Sequence, residues 1–166
     1  PPRQGFRMPS NAVPYRFLFA LGVACLLLGV LPGCESHEGV VPARISWDPH
    51  ASGNHQMALY GEVVPNPLRA VVEGPVRPGL LGGAGTRAVA VGHTVRFEIE
   101  NPESGATLEP GGGTAVEVKT DASGTAQVSL RAGQQPGDIV IQASVPEYPD
   151  AGRLDYRVIA GVQGIG

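Results

Sequence analysis

The chain has 166 residues, of which 42% are hydrophobic, 16% are charged and only 5% are aromatic, with 24 glycines and 16 prolines. This composition is too apolar for a disordered chain, and the length suits one domain with an appendage. Three arginines and no acidic residue precede Cys34, so the remainder has nine basic and fifteen acidic residues, a net charge of −6. This acidic remainder excludes a basic binding stripe, and we expect no nucleic acid as a partner.

The N-terminal residues have the parts of an export signal. Three arginines precede an apolar run of 15 residues at positions 17–31 (FLFALGVACLLLGVL), and small residues follow before Cys34. A basic stretch, a short apolar stretch and a small-residue cleavage site are typical of a signal peptide. A permanent transmembrane helix needs about 20 residues, so the run favours transient insertion followed by cleavage.

The end of this run indicates the type of signal. The sequence Leu31-Pro32-Gly33-Cys34 resembles the lipobox of bacterial lipoproteins. The resemblance implies that residues 1–33 are removed and that the Cys34 sulfur carries a diacylglyceryl group, often with a further acyl group on the new N-terminus. Two or three acyl chains hold a protein stably on a membrane, whereas one does so only marginally. The alternatives are an ordinary secretory signal and an uncleaved anchor.

Cysteine usage agrees with this interpretation. The only cysteines are Cys25, inside the apolar run, and Cys34, so cleavage leaves no disulfide and no cysteine metal site in the mature domain. Residues 34–43 are predicted to be a lipidated tether. Glu35 stands where Asp is the usual inner-membrane retention signal in some bacteria. We therefore expect a lipid-anchored protein of the bacterial cell envelope, in the outer membrane where two membranes exist.

The remaining sequence predicts strands. Apolar and polar side chains alternate with a period of two, as in half-buried strands, in segments separated by turn residues at positions 45–47, 57–63, 68–73, 94–100, 116–119, 126–131, 139–145 and 154–158. Eight or nine short strands favour an all-β domain, an immunoglobulin-like antiparallel β-sandwich, over residues 44–162, with a tail at 163–166. Trp47, Phe97 and Tyr156 are expected to be the large core residues.

Several segments are similar to bacterial Ig-like domains of the invasin and intimin type, namely 52–56 (SGNHQ), 65–68 (PNPL), 105–108 (GATL) and 118–128 (VKTDASGTAQV). In that family the last segment is a strand, a tight turn and a second strand. The residue types agree, because Asp121 can accept hydrogen bonds from its turn and Gly124 can adopt a positive φ. The resemblance implies a rigid spacer or an adhesion module of a surface protein.

The segment at 74–93 departs from that family, because it is longer and rich in glycine. Residues 87–91 are predicted to form a strand, and the remainder a loop. Leu80, Leu81 and Arg87 are the candidate partner-contact residues, since binding often resides on sandwich loops. The apolar tip could contact a partner protein or the membrane surface, or it could fold back on its own sandwich.

Residues with catalytic or metal-binding chemistry are few. Asp48, His50 and His55 could converge on a metal ion, but a turn with exposed imidazoles is favoured. Glu98 and Glu100 are expected to face solvent rather than form a glycosidase pair. We expect no enzyme activity, no metal and no cofactor.

Taken together, the sequence predicts a lipid-anchored, non-catalytic structural or adhesion module that contacts another envelope or surface protein. The alternatives are a lipoprotein that binds a small ligand or a carbohydrate through residues 74–93, and an accessory domain of an envelope transport assembly. Fold alone does not decide between these functions.

Overall fold

The computed structural model describes residues 39–79 and 85–161, which form ten strands and two single-turn 3-10 helices. The strands are β1 (Arg44–Trp47), β2 (Gln56–Leu59), β3 (Leu68–Arg77), β4 (Thr86–Val89), β5 (Thr94–Ile99), β6 (Thr107–Glu109), β7 (Ala115–Lys119), β8 (Thr125–Arg131), β9 (Gly137–Ser144) and β10 (Arg153–Gly161). The short helices are Pro102–Ser104 and Pro149–Ala151. The predicted all-β domain is confirmed.

The strands form two five-stranded sheets. The first has the order β1-β3-β8-β6, with β4 also paired to β3, and the second has the order β2-β10-β9-β5-β7. All strand pairs are antiparallel except β2 and β10, which are parallel. The strand predicted at 57–63 ends at Leu59, because the chain turns there and crosses to the first sheet, where Val63 bridges Arg131.

The core lies between the two sheets and is built from alternate residues of each strand. In β10, Leu154, Tyr156, Val158 and Ala160 are buried while the residues between them are exposed. Phe97 and Tyr156 are fully buried, as predicted, with their ring centroids 6.2 Å apart. The Tyr156 hydroxyl donates to the backbone oxygen of Arg69 at 2.7 Å, so the one polar atom of this ring is satisfied. Burial raises the pKa of Tyr156 above its ordinary value.

The prediction that Trp47 fills the core is wrong, because its side chain is 48% exposed. Trp47 pairs with Ala70, which is fully buried, so the alternation placed Trp47 on the inward side correctly. However, β1 is the edge strand of its sheet and Trp47 is its last residue. A side chain at the corner of a sheet has neighbours on fewer sides than one on a central strand, so half of its surface stays in solvent.

The crossing between the two sheets depends on four consecutive residues. Gly53 has φ +72°, and a Cβ there would lie 2.2 Å from the Pro67 oxygen, so only glycine fits. His55 has φ +56°, which is unusual for a residue other than glycine. The Asn54 Oδ1 accepts from the backbone N–H groups of His55 (2.9 Å) and Arg157 (2.8 Å), and thereby joins the crossing to β10.

Gln56 fixes the other side of this crossing. Its amide nitrogen donates to the backbone oxygens of Gly53 (2.6 Å) and Asn66 (2.7 Å), and its amide oxygen accepts from the Asn66 N–H (3.1 Å). The Gln56 side chain thus links the loop at Gly53 to the loop at Asn66 by hydrogen bonds. The segment 52–56 is therefore a structural corner.

The predicted turn between β7 and β8 is confirmed in detail. The Asp121 Oδ1 accepts from the backbone N–H groups of Ser123 (2.8 Å) and Thr125 (3.0 Å) and from the Ser123 hydroxyl (2.6 Å). These bonds stabilise the charged carboxylate, so the pKa of Asp121 is lowered, chiefly by the Ser123 hydroxyl. Gly124 has φ +74° and is packed so closely that a Cβ would lie 2.8 Å from the Val72 oxygen.

The two ends of the sandwich differ, and we name them by their residues. The entry end is where Val40 lies, and it includes the β3–β4 hairpin (described at residues 74–79 and 85–89), the β7–β8 turn (120–124) and the β9–β10 connection (145–152). The far end holds the connections at 99–107 and 131–137, and β10 finishes there.

We predict that the turn carboxylate stabilises the domain only while it is charged. Asp121→Ala should lower the free energy of unfolding by about 1 kcal/mol at pH 7, because the bonded turn N–H groups lose their acceptor. Asp121→Asn should cost less. The folded-state pKa lies below the ordinary value of 3.8, so the charged form contributes above that pH and its contribution disappears as the pH falls below it.

Urea unfolding of wild type, Asp121→Asn and the surface control Asp150→Asn at pH 7 and pH 3 measures this effect. The gap between wild type and Asp121→Asn should narrow at pH 3. A gap that widens at low pH would contradict the prediction.

Candidate functional site at the β3–β4 hairpin

The β3–β4 hairpin projects from the entry end of the first sheet. The pairing of β3 with β8 stops at Val71, and its pairing with β1 stops at Glu73. Among the described strands, only β4 pairs with β3 beyond Glu73, with Val76 opposite Arg87 and a shift of register between Glu73 and Val76. Four further residues of β3 extend about 13 Å at the usual rise per residue. The hairpin therefore stands clear of its neighbouring strands.

The structure places Arg87 on β4, which confirms the predicted strand in this region, although β4 spans Thr86–Val89. Its guanidinium donates to the Gly74 oxygen at 3.1 Å and lies 3.9 Å from the Glu73 carboxylate, with the side chain 30% exposed. Arg87 therefore joins the two strands at the base of the hairpin. Leu80 and Leu81, predicted at the tip, lie outside the described residues.

The first described residues pack against the base of the same hairpin. A Cβ on Gly74 would lie 2.5 Å from a methyl carbon of Val40, so the absence of a side chain at Gly74 makes room for Val40. The Ala43 N–H donates to the Glu73 oxygen at 2.8 Å. His93 Nε2 donates to the Val40 oxygen at 2.9 Å. From Val40 onward, the segment predicted as a tether is therefore in contact with the sandwich.

His93 is held in place from two further sides. Its backbone N–H donates to the Thr120 hydroxyl at 3.0 Å, and the buried Thr120 hydroxyl donates in turn to the Ala90 oxygen at 2.7 Å. The ring of Tyr148 stands edge-on to the His93 ring, 5.5 Å between centroids. His93 directly precedes β5, which begins at Thr94.

Exposed apolar and basic side chains surround the hairpin base. Val41 is 56% exposed and Val76 is 52% exposed. The exposed basic residues of the entry end are Arg44, Arg77, Lys119 and Arg153. Sequence reasoning singled out none of these, since Val41 lay in the predicted tether and Val76 in the predicted loop.

A second surface lies on the outer side of the second sheet, and we call it the apolar strip. It consists of Met57 (69% exposed), Leu59 (42%) and Ile159 (46%). Met57 is the register partner of Ile159, and Leu59 that of Gly161. Because β2 is the last strand of its sheet, the strip borders a strand edge. Alternation could not reveal it, because Met57, Ala58 and Leu59 are all apolar and give no signal for the buried face.

The far end has a polar cleft of about 300 Å³, lined by Asn101, Glu103, Ser104 and residues 135–138. The Asn101 amide donates to the Asp138 oxygen at 2.7 Å, and its oxygen accepts from the Val140 N–H at 2.9 Å. Asn101 thus binds the start of β9 to the preceding connection. Asn101, which lines the cleft, therefore has a structural role in these two hydrogen bonds.

The residues considered for metal binding lie in the connection between β1 and β2. The Asp48 Oδ1 accepts from the backbone N–H groups of His50 (2.9 Å) and Ala51 (3.4 Å), and its other oxygen lies 3.9 Å from the Arg69 guanidinium. Within residues 39–79 and 85–161, no three His, Cys, Asp or Glu side chains are grouped closely enough to hold a metal ion.

Glu98 and Glu100 are exposed, as predicted. Glu98 accepts from Arg96 Nε at 3.0 Å, and this bond raises the pKa of Arg96.

The predicted lipidation site at Cys34 and its lipobox residues Leu31, Pro32 and Gly33 lie outside the described residues, as does the predicted signal peptide. In the part of the chain that the structure describes, no helix has the length and apolar character needed to cross a bilayer.

The chain has a weak structural likeness to a protein of known structure. No family model matches the chain, and no curated protein matches it. Among solved structures, WR4, a member of the MSP family from C. elegans, is 16% identical, covers 63% of this chain and 92% of its own, and has a TM-score of 0.29.

We predict that Arg87 controls the opening of the hairpin. Arg87→Ala removes the donor to Gly74 and should weaken the hairpin base by about 1 kcal/mol. Amide hydrogens of Val76, Arg77 and residues 86–88 should then exchange about fivefold faster. Arg77→Ala, on the same hairpin but exposed, is the matched control and should leave exchange unchanged. Equal exchange in the two variants would show that the Arg87 bond does not stabilise the hairpin.

Proposed function

We propose that this chain is a lipid-anchored protein of the bacterial cell envelope that carries one non-catalytic immunoglobulin-like domain of the invasin and intimin type. The observation that carries the proposal is the sequence Leu31-Pro32-Gly33-Cys34 directly after a 15-residue apolar run with arginines before it. The first β-strand begins ten residues after Cys34. A lipid anchor joined by a short segment to a folded domain is expected to hold that domain close to the membrane.

The strand order supports the immunoglobulin-like assignment. In such domains the strands A, B, E and D form one sheet, and C, F and G form the other. The sheets here fit this scheme with β1, β3, β8 and β6 as the first set and β5, β9 and β10 as the second. The leading strand is divided between the sheets, since β1 pairs antiparallel with β3 and β2 pairs parallel with β10.

The roles of the polar residues support a structural module rather than a catalyst. Asp48 and Asp121 accept backbone hydrogen bonds in turns, and His93 holds the carbonyl of Val40. Asn54 and Asn101 join connections to strands. Each of these side chains has a task in the fold that accounts for its residue type.

The apolar strip supports contact with another protein. Exposed apolar side chains that adjoin one another, unlike scattered ones, are typical of interaction sites. Met57 and Ile159 adjoin by register, and the strip borders β2, which is the edge strand of its sheet among the described strands. We therefore place the protein-contact surface of this module at the apolar strip.

We predict that Cys34 carries the lipid. Cys34→Ser should abolish incorporation of radiolabelled palmitate and leave residues 1–33 attached, because cleavage of such signals follows modification of the sulfur. Cys25→Ser is the matched control and should be labelled and cleaved like the wild type. Intact mass spectrometry of the membrane-extracted protein reads both events. Labelling that survives Cys34→Ser, or a wild type that is never labelled, would refute the lipoprotein assignment.

We predict that the apolar strip is covered in the envelope. A photo-crosslinking amino acid at position 57 or 159 should give discrete protein adducts in cells. The same group at position 155, which is exposed on β10, should give few. Adducts of equal yield at all three positions would argue against a specific contact at the strip.

A further inference from the structure

The position of Val40 limits how the domain can sit on a membrane. Six virtual bonds separate the Cα atoms of Cys34 and Val40, so an extended chain spans about 20 Å between them. From Val40 onward the chain is fixed to the sandwich by the Ala43 and His93 hydrogen bonds described above. A lipid group on Cys34 therefore keeps the entry end within about 20 Å of the bilayer.

The entry end has the side chains of a membrane-contacting surface. Val41 and Val76 are more than half exposed. Arg44, at the start of β1, and Arg77, at the end of β3, are also exposed at this end, and Arg44 is opposite Glu73 in the β1–β3 ladder. Basic residues near a bilayer are attracted to anionic lipids. The apolar part of an arginine side chain can lie against the membrane surface while its charged group stays in water.

One acidic residue of the entry end, Glu73, lies at the hairpin base, where its carboxylate is 3.9 Å from the Arg87 guanidinium. The other acidic residues of this end lie away from the hairpin. Glu147 and Asp150 are on the connection between β9 and β10, which belongs to the second sheet. Asp121 is turned into its own turn by the bonds to Ser123 and Thr125. The hairpin side of the entry end is therefore the side that fits an anionic surface.

The far end has the opposite character. Glu62, Glu100 and Glu103 are exposed there, and nearby arginines are paired with acids, Arg131 with Glu109 at 2.9 Å and Arg157 with Asp138 at 3.6 Å. Strands β8, β9 and β10, which run between the ends, are seven to nine residues long, which corresponds to about 23 to 30 Å. This length exceeds the screening distance of about 8 Å at physiological salt. The far-end acids thus avoid repulsion by an anionic bilayer only if they point away from it.

We propose that the domain docks on the bilayer through the hairpin side of its entry end, with Val41, Val76, Arg44 and Arg77 against anionic phospholipid headgroups. The far end then points outward. This inference rests on the proposed lipidation of Cys34 and adds to it an orientation and a second, protein-mediated contact with the same membrane. In this orientation the apolar strip, on the far half of the second sheet, stays accessible to a protein partner.

The test uses the acylated protein purified from membranes and reconstituted into vesicles of phosphatidylcholine and phosphatidylglycerol at 3:1. Cys25 is lost with the signal and the Cys34 sulfur is blocked by its lipid, so a cysteine introduced in the domain is the only free thiol. Val76→Cys and Glu103→Cys are labelled with an environment-sensitive fluorophore. Headgroup spin-labelled lipid then reports how close each label lies to the bilayer.

We expect the Val76→Cys label to be quenched at least threefold more strongly than the Glu103→Cys label. Adding Arg77→Glu to the Val76→Cys protein should reduce this quenching on the anionic vesicles but not on pure phosphatidylcholine. Circular dichroism checks that each variant keeps its strands. Equal quenching of the two labels on an acylated protein would overturn the orientation alone. A protein that mass spectrometry shows to be unacylated would overturn the proposed function, and this inference with it.

Discussion

The side chains of Asn54 and Gln56 hold the chain at the point where it leaves one sheet and joins the other. Asn54 bonds the backbone of Arg157 in the second sheet, and Gln56 bonds both Gly53 and Asn66. Because of this corner, β1 can pair antiparallel with β3 while β2 pairs parallel with β10. The segment from β1 to β2 thereby supplies an edge strand to each of the two sheets. Gly53 is needed because its neighbour Pro67 leaves no space for a Cβ.

A second constraint acts where the described chain begins. His93 and Glu73 bind the backbone of Val40 and Ala43, and Gly74 leaves room for the Val40 side chain. These contacts fix Val40 and Ala43 to one end of the sandwich. A flexible attachment would allow a lipid-anchored domain to present any face to its membrane. Because Val40 is bonded to the sandwich, a lipid on Cys34 restricts the faces of the domain that can meet the bilayer. The proposed orientation therefore depends on the hydrogen bonds of Val40 and Ala43.

The distribution of exposed residues gives the two ends and the apolar strip different roles in the proposed function. The hairpin side of the entry end combines Val76 with Arg77, whereas the far end exposes Glu100 and Glu103. The strip of Met57, Leu59 and Ile159 lies on the outer face of the second sheet. The proposed lipid contact and the proposed protein contact thus fall on separate surfaces, and one can be changed by mutation without touching the other.

The sequence by itself determined the all-β class, the buried faces of the central strands, the core positions of Phe97 and Tyr156 and the Asp121 turn, because alternation and turn chemistry are local properties. Only the tertiary structure decided the rest. Trp47 has the pattern of a core residue, but it is half exposed because β1 is an edge strand. The alternation of apolar and polar residues within a strand does not predict the order of strands in a sheet. The apolar strip and the packing of Val40 likewise depend on which strands become neighbours. Arg87 shows the same limit, since its partners are the backbone of Gly74 and the carboxylate of Glu73, thirteen and fourteen residues earlier in the chain.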